Sequence, residues 1–286
     1  MIVLDRLALA DYFEPKDLVN EIYRQCPDLK LPIPIKDIAK ACGILAIEPL
    51  NLHSTTKLEG ILFSDRLKEY GVIFFKPHPQ VIGRERFSIG HELGHHLSQH
   101  HEAINVCIDT KVQKMDSGTR KVQEDEANDF SKFILMPEFL LRPLLSLEPF
   151  TLEVAVRISD QAEVSFSALA NRCCELLNEC KMILVYSKDH RCVYSWANWS
   201  ILGDIKFKKL RGQALPDGSQ TLKISYRDNT ISVFETVQPK VWFDDSGDAM
   251  LPERVIEQTY FQENGYAVTL LIIDPNQEHI NLLKED

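Results

Sequence analysis

The feature that most restricts this chain is a histidine pair four residues apart, His91-Glu92-Leu93-Gly94-His95, set among Phe87, Ile89 and Leu97. On an α-helix, residues i and i+4 share one face, so both imidazoles can meet a single metal ion. The spacing therefore predicts a helix over 84–101 whose histidine face turns inward. Zinc lowers the pKa of its water toward 7, and a carboxylate beside it can take the proton during attack on a peptide carbonyl. Glu92 is the candidate for that catalytic role. A catalytic zinc keeps three protein ligands and one open position, whereas a structural one is closed by four, usually including cysteine. A third ligand must come from elsewhere in the chain.

Three acids compete for that place. Glu124, Asp125 and Glu126 open the next amphipathic pattern, predicted as a helix over 122–133 and closed by Pro137. Phe130 and Phe133 lie four and seven residues after Glu126, so a stripe led by the two rings includes Glu126. That register leaves Asp125 about 100° away and Glu124 about 200° away. The expected ligand set is His91, His95 and Glu126 around one Zn2+ per chain. Asn128 and Asp129, on the same predicted helix, are candidates to orient a ligand imidazole. His96, turned about 100° from His95, and His100 and His101, past the pair, are expected on a solvated surface. Isolated His53, His78 and His190 are given no role in catalysis, and Trp196, Trp199 and Trp242 are expected to pack in a core.

Around this center, helical spacing recurs over 15–26 and 35–42, and short β-branched runs over 44–47, 60–63 and 71–75 predict a small sheet. Val72, Ile73, Phe74 and Phe75 precede the metal helix and are the candidate edge strand for an extended peptide. The polar stretch between the two central helices reads as a loop. Helical patterning continues through 144–177. After Lys181 the texture changes to MILVY, DIKFKKL, TLKISY, ISVFET, KVWF and YAVTLLIID, broken by Gly, Pro, Asp and Asn, which predicts a β-rich domain. The expected class is α+β, with pieces at 1–145, 146–182 and 183–286.

Composition narrows the function classes. Lys plus Arg is 32 against 42 for Asp plus Glu, a net charge of −10, which disfavors a surface built for nucleic acid or anionic lipid. No apolar run approaches the 18 or more residues of a membrane span. The N-terminus has no basic start or small-residue cleavage site, so the expected location is cytoplasmic. Seven cysteines without a CxxC fit reduced thiols.

The ordered motifs Leu58-Glu59-Gly60, the run 72–75, Arg84 through Gly90 leading into HELGH, Glu126-Ala127-Asn128-Asp129-Phe130 and Leu135-Met136-Pro137 resemble the ImmA/IrrE-type zinc metallopeptidases. That resemblance implies a mainly helical, zincin-like peptidase domain with His91, His95 and Glu126 as zinc ligands and Glu92 as general base. It also implies a cytoplasmic endopeptidase that cleaves a helix-turn-helix transcriptional repressor and so releases genes of a stress response, mobile element or phage. Gly90 stands where the family pattern has alanine. Residues 150–177 resemble the helix-turn-helix-like middle segment of members such as IrrE. Residues 183–286 share with the GAF-like domain there only a β-rich texture, which leaves their ligand unidentified. Arg157, Arg172 and Lys181 are outnumbered by Glu153, Asp160, Glu163, Glu175 and Glu179, so direct DNA binding is not expected. The alternative class is a sensor, toxin–antitoxin or defense component that uses the peptidase-like half as a protein-binding platform.

Overall fold

The computed structural model describes residues 2–50, 58–78, 81–108, 118–225, 227–246 and 250–281; His53 lies outside them. Two compact units form, Met1–Leu141 with Ser159–Ser165, and Arg142–Ile158 with Phe166–Asp286. Among the described residues, no helix is long and apolar enough to cross a membrane.

In the first unit, α1 (Arg6–Leu9) is capped by the Asp5 carboxylate, which accepts from the Leu7 and Ala8 amides at 3.0 and 3.3 Å. Helix α2 (Pro15–Gln25) starts on a proline, where a missing N–H costs nothing, and α3 (Ile35–Ala41) follows. Strands β1 (Ile44–Pro49), β2 (Leu58–Ser64) and β3 (Gly71–Phe75) lead into α4 (Ile82–Leu97). Beyond it come β4 (Ile104–Ile108), α5 (Gly118–Leu135) and the first half of α6 (Glu138–Leu145), the rest of which is assigned to the second unit. The sheet order is β1-β3-β2-β4, parallel only between β1 and β3.

Two expectations fail here. Val72, Ile73, Phe74 and Phe75 lie on an interior strand, paired with β1 on one side and β2 on the other, so its backbone groups are taken and it is no edge. Outer strand β4 instead occupies part of the stretch read as a loop, because its five residues are flanked by polar sequence on both sides.

The second unit is built on a sheet of β5 (Lys181–Lys188), β6 (Arg191–Ala197), β7 (Thr230–Ile231), β8 (Glu235–Val237), β9 (Val255–Phe261) and β10 (Tyr266–Ile273). Its order is β6-β5-β10-β9-β7, antiparallel throughout, with β8 also on β9. The helical stretch 146–182 is not a piece of its own. Part of α7 (Leu152–Ala162) and all of α8 (Phe166–Leu176) belong to this unit. The Leu152 amide donates to Gln258 Oε1 at 2.8 Å, Tyr186 Oη donates to Asn171 Oδ1 at 2.8 Å, and Phe166 meets Tyr260 edge to face at 5.0 Å. Helices and sheet are thus tied together by side-chain contacts.

Several β expectations are also corrected. TLKISY contains helix α9 (Gln220–Lys223), KVWF contains a 3-10 turn, and DIKFKKL makes only isolated bridges. Strand β9 has no clear signature in the sequence because Glu257, Gln258 and Thr259 interrupt its apolar pattern. Those polar groups are buried with partners. Glu257, wholly buried, accepts from Ser219 Oγ at 2.7 Å, the Thr221 amide at 3.1 Å and Trp242 Nε1 at 2.9 Å. Trp242 is in the core as expected, while Trp196 and Trp199 are exposed.

Replacing Glu257 by alanine would strand the buried donors of Ser219 and Trp242, each costing about 1–3 kcal/mol, while the Thr221 amide keeps Ser219 Oγ as acceptor. We expect Glu257→Ala to lower stability by at least about 2 kcal/mol. A melting curve of the full chain unchanged from wild type would refute this account of the core.

Candidate metal center

Helix α4 is buried without interruption from Ile89 to Leu97, which is why its pattern is not simply amphipathic. The sheet of the first unit covers one side and α5 the other. Where α4 meets α5 the residues are small: a Cβ at Gly90 would stand 2.7 Å from Ser131 Oγ, and that hydroxyl donates to the Phe87 carbonyl at 2.8 Å. Glycine in place of the expected alanine allows this approach.

His91 and His95 project from one face of α4, with their Nε2 atoms 3.1 Å apart. Across from them stands Glu124, not Glu126. Its Oε2 lies 3.3 Å from His91 Nε2 and its Oε1 3.8 Å from His95 Nε2. Ligands at 2.0–2.1 Å around a tetrahedral zinc are about 3.3 Å from one another, so the donor set has the right size. Glu124 is buried, and its Oε1 has no hydrogen-bond partner among the described residues, as expected of an oxygen placed for a cation. His91, His95 and Glu124 therefore fit a three-ligand metal site with a fourth position left over.

The register expectation is corrected for a physical reason. The buried residues of α5 are Glu124, Ala127, Phe130, Ser131, Ile134 and Leu135. Phe130 packs against Gly94 of α4 and so does face inward, with Ala127 and Ser131 beside it, whereas Phe133 is only partly buried under Lys132, whose Nζ lies 4.7 Å from its ring center. Drawing the stripe through Phe133 rather than through Ala127 and Ser131 shifts the register toward Glu126. Asp125 is exposed, and Glu126 sits on the flank with His100 and His101.

Both imidazoles are held from behind. Asn128 Oδ1 lies 2.9 Å from His91 Nδ1, and His101 Nδ1 lies 2.9 Å from His95 Nδ1. Asp129 is half exposed and pairs with Lys132 at 2.9 Å, away from the histidines. Burial alone would lower the His91 pKa, but the carboxylates of Glu124 and Glu92 outweigh it and the net shift is upward. Burial depresses His95, and neighboring cations add to the effect. His96 is not on the surface: it is fully buried, with Nδ1 2.7 Å from Ser64 Oγ and Nε2 3.1 Å from the Cys42 carbonyl, and burial pulls its pKa down to about 4. His101 is buried as well, leaving His100 alone of the three exposed.

Residues 50–173 match the Peptidase_M78 family model, described as an IrrE N-terminal-like domain. This stretch is similar to an IrrE N-terminal-like domain. The matched family is a peptidase family, and the match supports the resemblance seen in the sequence. A solved structure, a Mycobacterium tuberculosis transcriptional regulator, is similar with a TM-score of 0.56 and 13% identity. The likeness covers 97% of this chain and 82% of that one, and at this identity it is a likeness of fold. No curated protein matches.

Within the matched stretch two further residues shape the center, Lys68 without any local sequence signal and Gly60 from the Leu58-Glu59-Gly60 motif. Lys68 is buried and donates from Nζ to the carbonyls of His95 at 2.8 Å and Ser98 at 2.6 Å, closing the C-terminal end of α4. Burial lowers its pKa to about 8. Gly60 of β2 leaves space for Glu92, since a Cβ there would collide with Oε1 of that fully buried carboxylate.

Glu124→Ala should weaken zinc binding by at least about a thousandfold, while Asp125→Ala leaves it near wild type; competition with a chromophoric chelator measures both. Equal affinities would show that Glu124 is no ligand. Gly60→Ala should retain zinc yet lose roughly 100-fold in turnover, because the carboxylate must shift by about 1 Å. Full turnover in that variant would remove Glu92 placement from the account.

Proposed function

We propose that this chain is a zinc-dependent endopeptidase that cleaves a helix-turn-helix transcriptional repressor, with His91, His95 and Glu124 holding one zinc and Glu92 acting as general base. The observation that carries this reading is the convergence of both Nε2 atoms and the Glu124 carboxylate beside buried Glu92. Bound there, zinc would polarize the scissile carbonyl and acidify water. Glu92 accepts the proton of the attacking water and returns it to the departing amine. Its buried setting keeps that proton from bulk solvent.

Outer strand β4 follows the metal helix in the chain and pairs with β2, the strand that carries Gly60. An extended peptide adding to the outer side of β4 would use main-chain hydrogen bonds for affinity. This strand replaces the run 72–75 as the substrate-binding candidate. A repressor as substrate is supported by the family of the domain and by the transcriptional regulator to which the fold is similar. In this proposal the second unit, built on a six-stranded antiparallel sheet, is assigned a sensory role that governs cleavage. Under the second reading, in which the domain is only a binding platform, a catalytically dead chain would still regulate its partner.

Glu92→Gln preserves shape but cannot accept a proton, so zinc content and fold should persist while cleavage falls by about 100-fold or more. Mass spectrometry of a co-encoded helix-turn-helix repressor, incubated with zinc and either protein, provides the measurement. Undiminished cleavage by Glu92→Gln rules out the proposed base, and an intact repressor with the wild-type chain favors the platform.

A further inference from the structure

We propose that His101 and Glu126 are positioning residues for the metal ligand His95, joined in the line Glu126–His101–His95. This inference rests on the zinc reading above. The Nε2 of His95 faces His91 and Glu124, while its Nδ1 turns away to meet His101 Nδ1 at 2.9 Å. His101 Nε2 lies 2.7 Å from Glu126 Oε2. A carboxylate only accepts, so His101 carries its hydrogen on Nε2 and donates to Glu126. A neutral imidazole has a single N–H, which leaves His101 Nδ1 bare and makes it the acceptor for His95 Nδ1–H. The lone pair of His95 is thereby fixed on Nε2, where a metal needs it. Asn128 does the same for His91 in one step through its side-chain carbonyl.

The fold builds this line deliberately. Helix α4 ends at Leu97, and the His101 amide donates to the Ser98 carbonyl at 3.1 Å, turning the chain back so that the His101 ring lies 4.8 Å from that of His95. Lys68 holds both ends of the turn through the His95 and Ser98 carbonyls. The His101 side chain is fully buried and that of Glu126 is 27% exposed, so the carboxylate links a buried pair to the rim. His100, more exposed, is a second donor to the same oxygen at 2.7 Å. Both contacts are hydrogen-bond distances, shorter than the roughly 3.3 Å between ligands of a tetrahedral zinc. The geometry thus favors a relay over a second metal center at His100, His101 and Glu126.

The test uses the full chain, zinc competition with a chelator, and the visible spectrum of the Co2+ form. His101→Leu and Glu126→Ala should each lower zinc affinity about 10- to 100-fold and shift the Co2+ bands, with one metal still bound per chain. His101→Asn, whose Oδ1 can stand near the lost Nδ1, should recover affinity to within about threefold of wild type. His100→Ala should stay within about twofold. Where His101→Leu fails to fold, Glu126→Gln carries the test, with a loss between those of wild type and Glu126→Ala. Wild-type affinity and spectrum in Glu126→Ala and Glu126→Gln overturn the relay while leaving the three-ligand reading intact. A second zinc equivalent that disappears in His100→Ala and Glu126→Ala overturns it in favor of a metal site. A wild-type chain that takes up no zinc overturns the three-ligand reading, and the relay with it.

Discussion

The first unit depends on how closely α4 can approach α5. Glycine at position 90 against Ser131 removes the side-chain bulk that usually separates two helices, and the Ser131 hydroxyl ties itself to the Phe87 carbonyl across the contact. Interiors are packed to near-crystalline density, so an approach of this kind is paid for by small residues on both faces. Its consequence lies two turns along α5. Glu124 and Asn128 share the inward side of that helix, and both reach the histidines of α4, one toward Nε2 and the other toward Nδ1.

Two buried carboxylates in this protein illustrate opposite solutions to one problem. A buried charge must be compensated, because desolvation costs several kcal/mol per ion. Glu257 is compensated by the protein itself: hydroxyl, amide and indole donors surround it, and it binds a helical turn and an indole onto β9. Glu124 is compensated in part, with one oxygen near His91 and the other lacking a hydrogen-bond partner among the described residues. The first arrangement is complete and structural, while the second has the form of a ligand set.

Around the histidine pair, the supporting groups come from distant parts of the chain. Lys68 arrives from the turn before β3, Gly60 from β2, Asn128 and Glu126 from α5, and His101 from the turn after α4. They act on different groups: a helix-end carbonyl, the Glu92 carboxylate, and the Nδ1 atoms of the two histidines. This division explains why a small sheet and a helical pair suffice to hold a reactive geometry that local structure alone would leave loose.

The sequence by itself determined the histidine helix, the candidate base and the α+β character, since each depends on short local patterns: i to i+4 for His91 and His95, adjacency for Glu92, and short continuous apolar runs for β5 and β10. Tertiary structure decided which acid joins the pair, which strand forms the edge, and which histidines are buried. The rings of Phe130 and Phe133 pointed to Glu126, but only Phe130 faces α4, where it is joined by Ala127 and Ser131, and small residues carry little hydrophobic signal. Strand β9 was hidden by Glu257, whose burial becomes acceptable only through donors that α9 and Trp242 bring from elsewhere. Periodicity records which side of an element faces inward, while the identity of the partner on that side is set by chain segments tens of residues away.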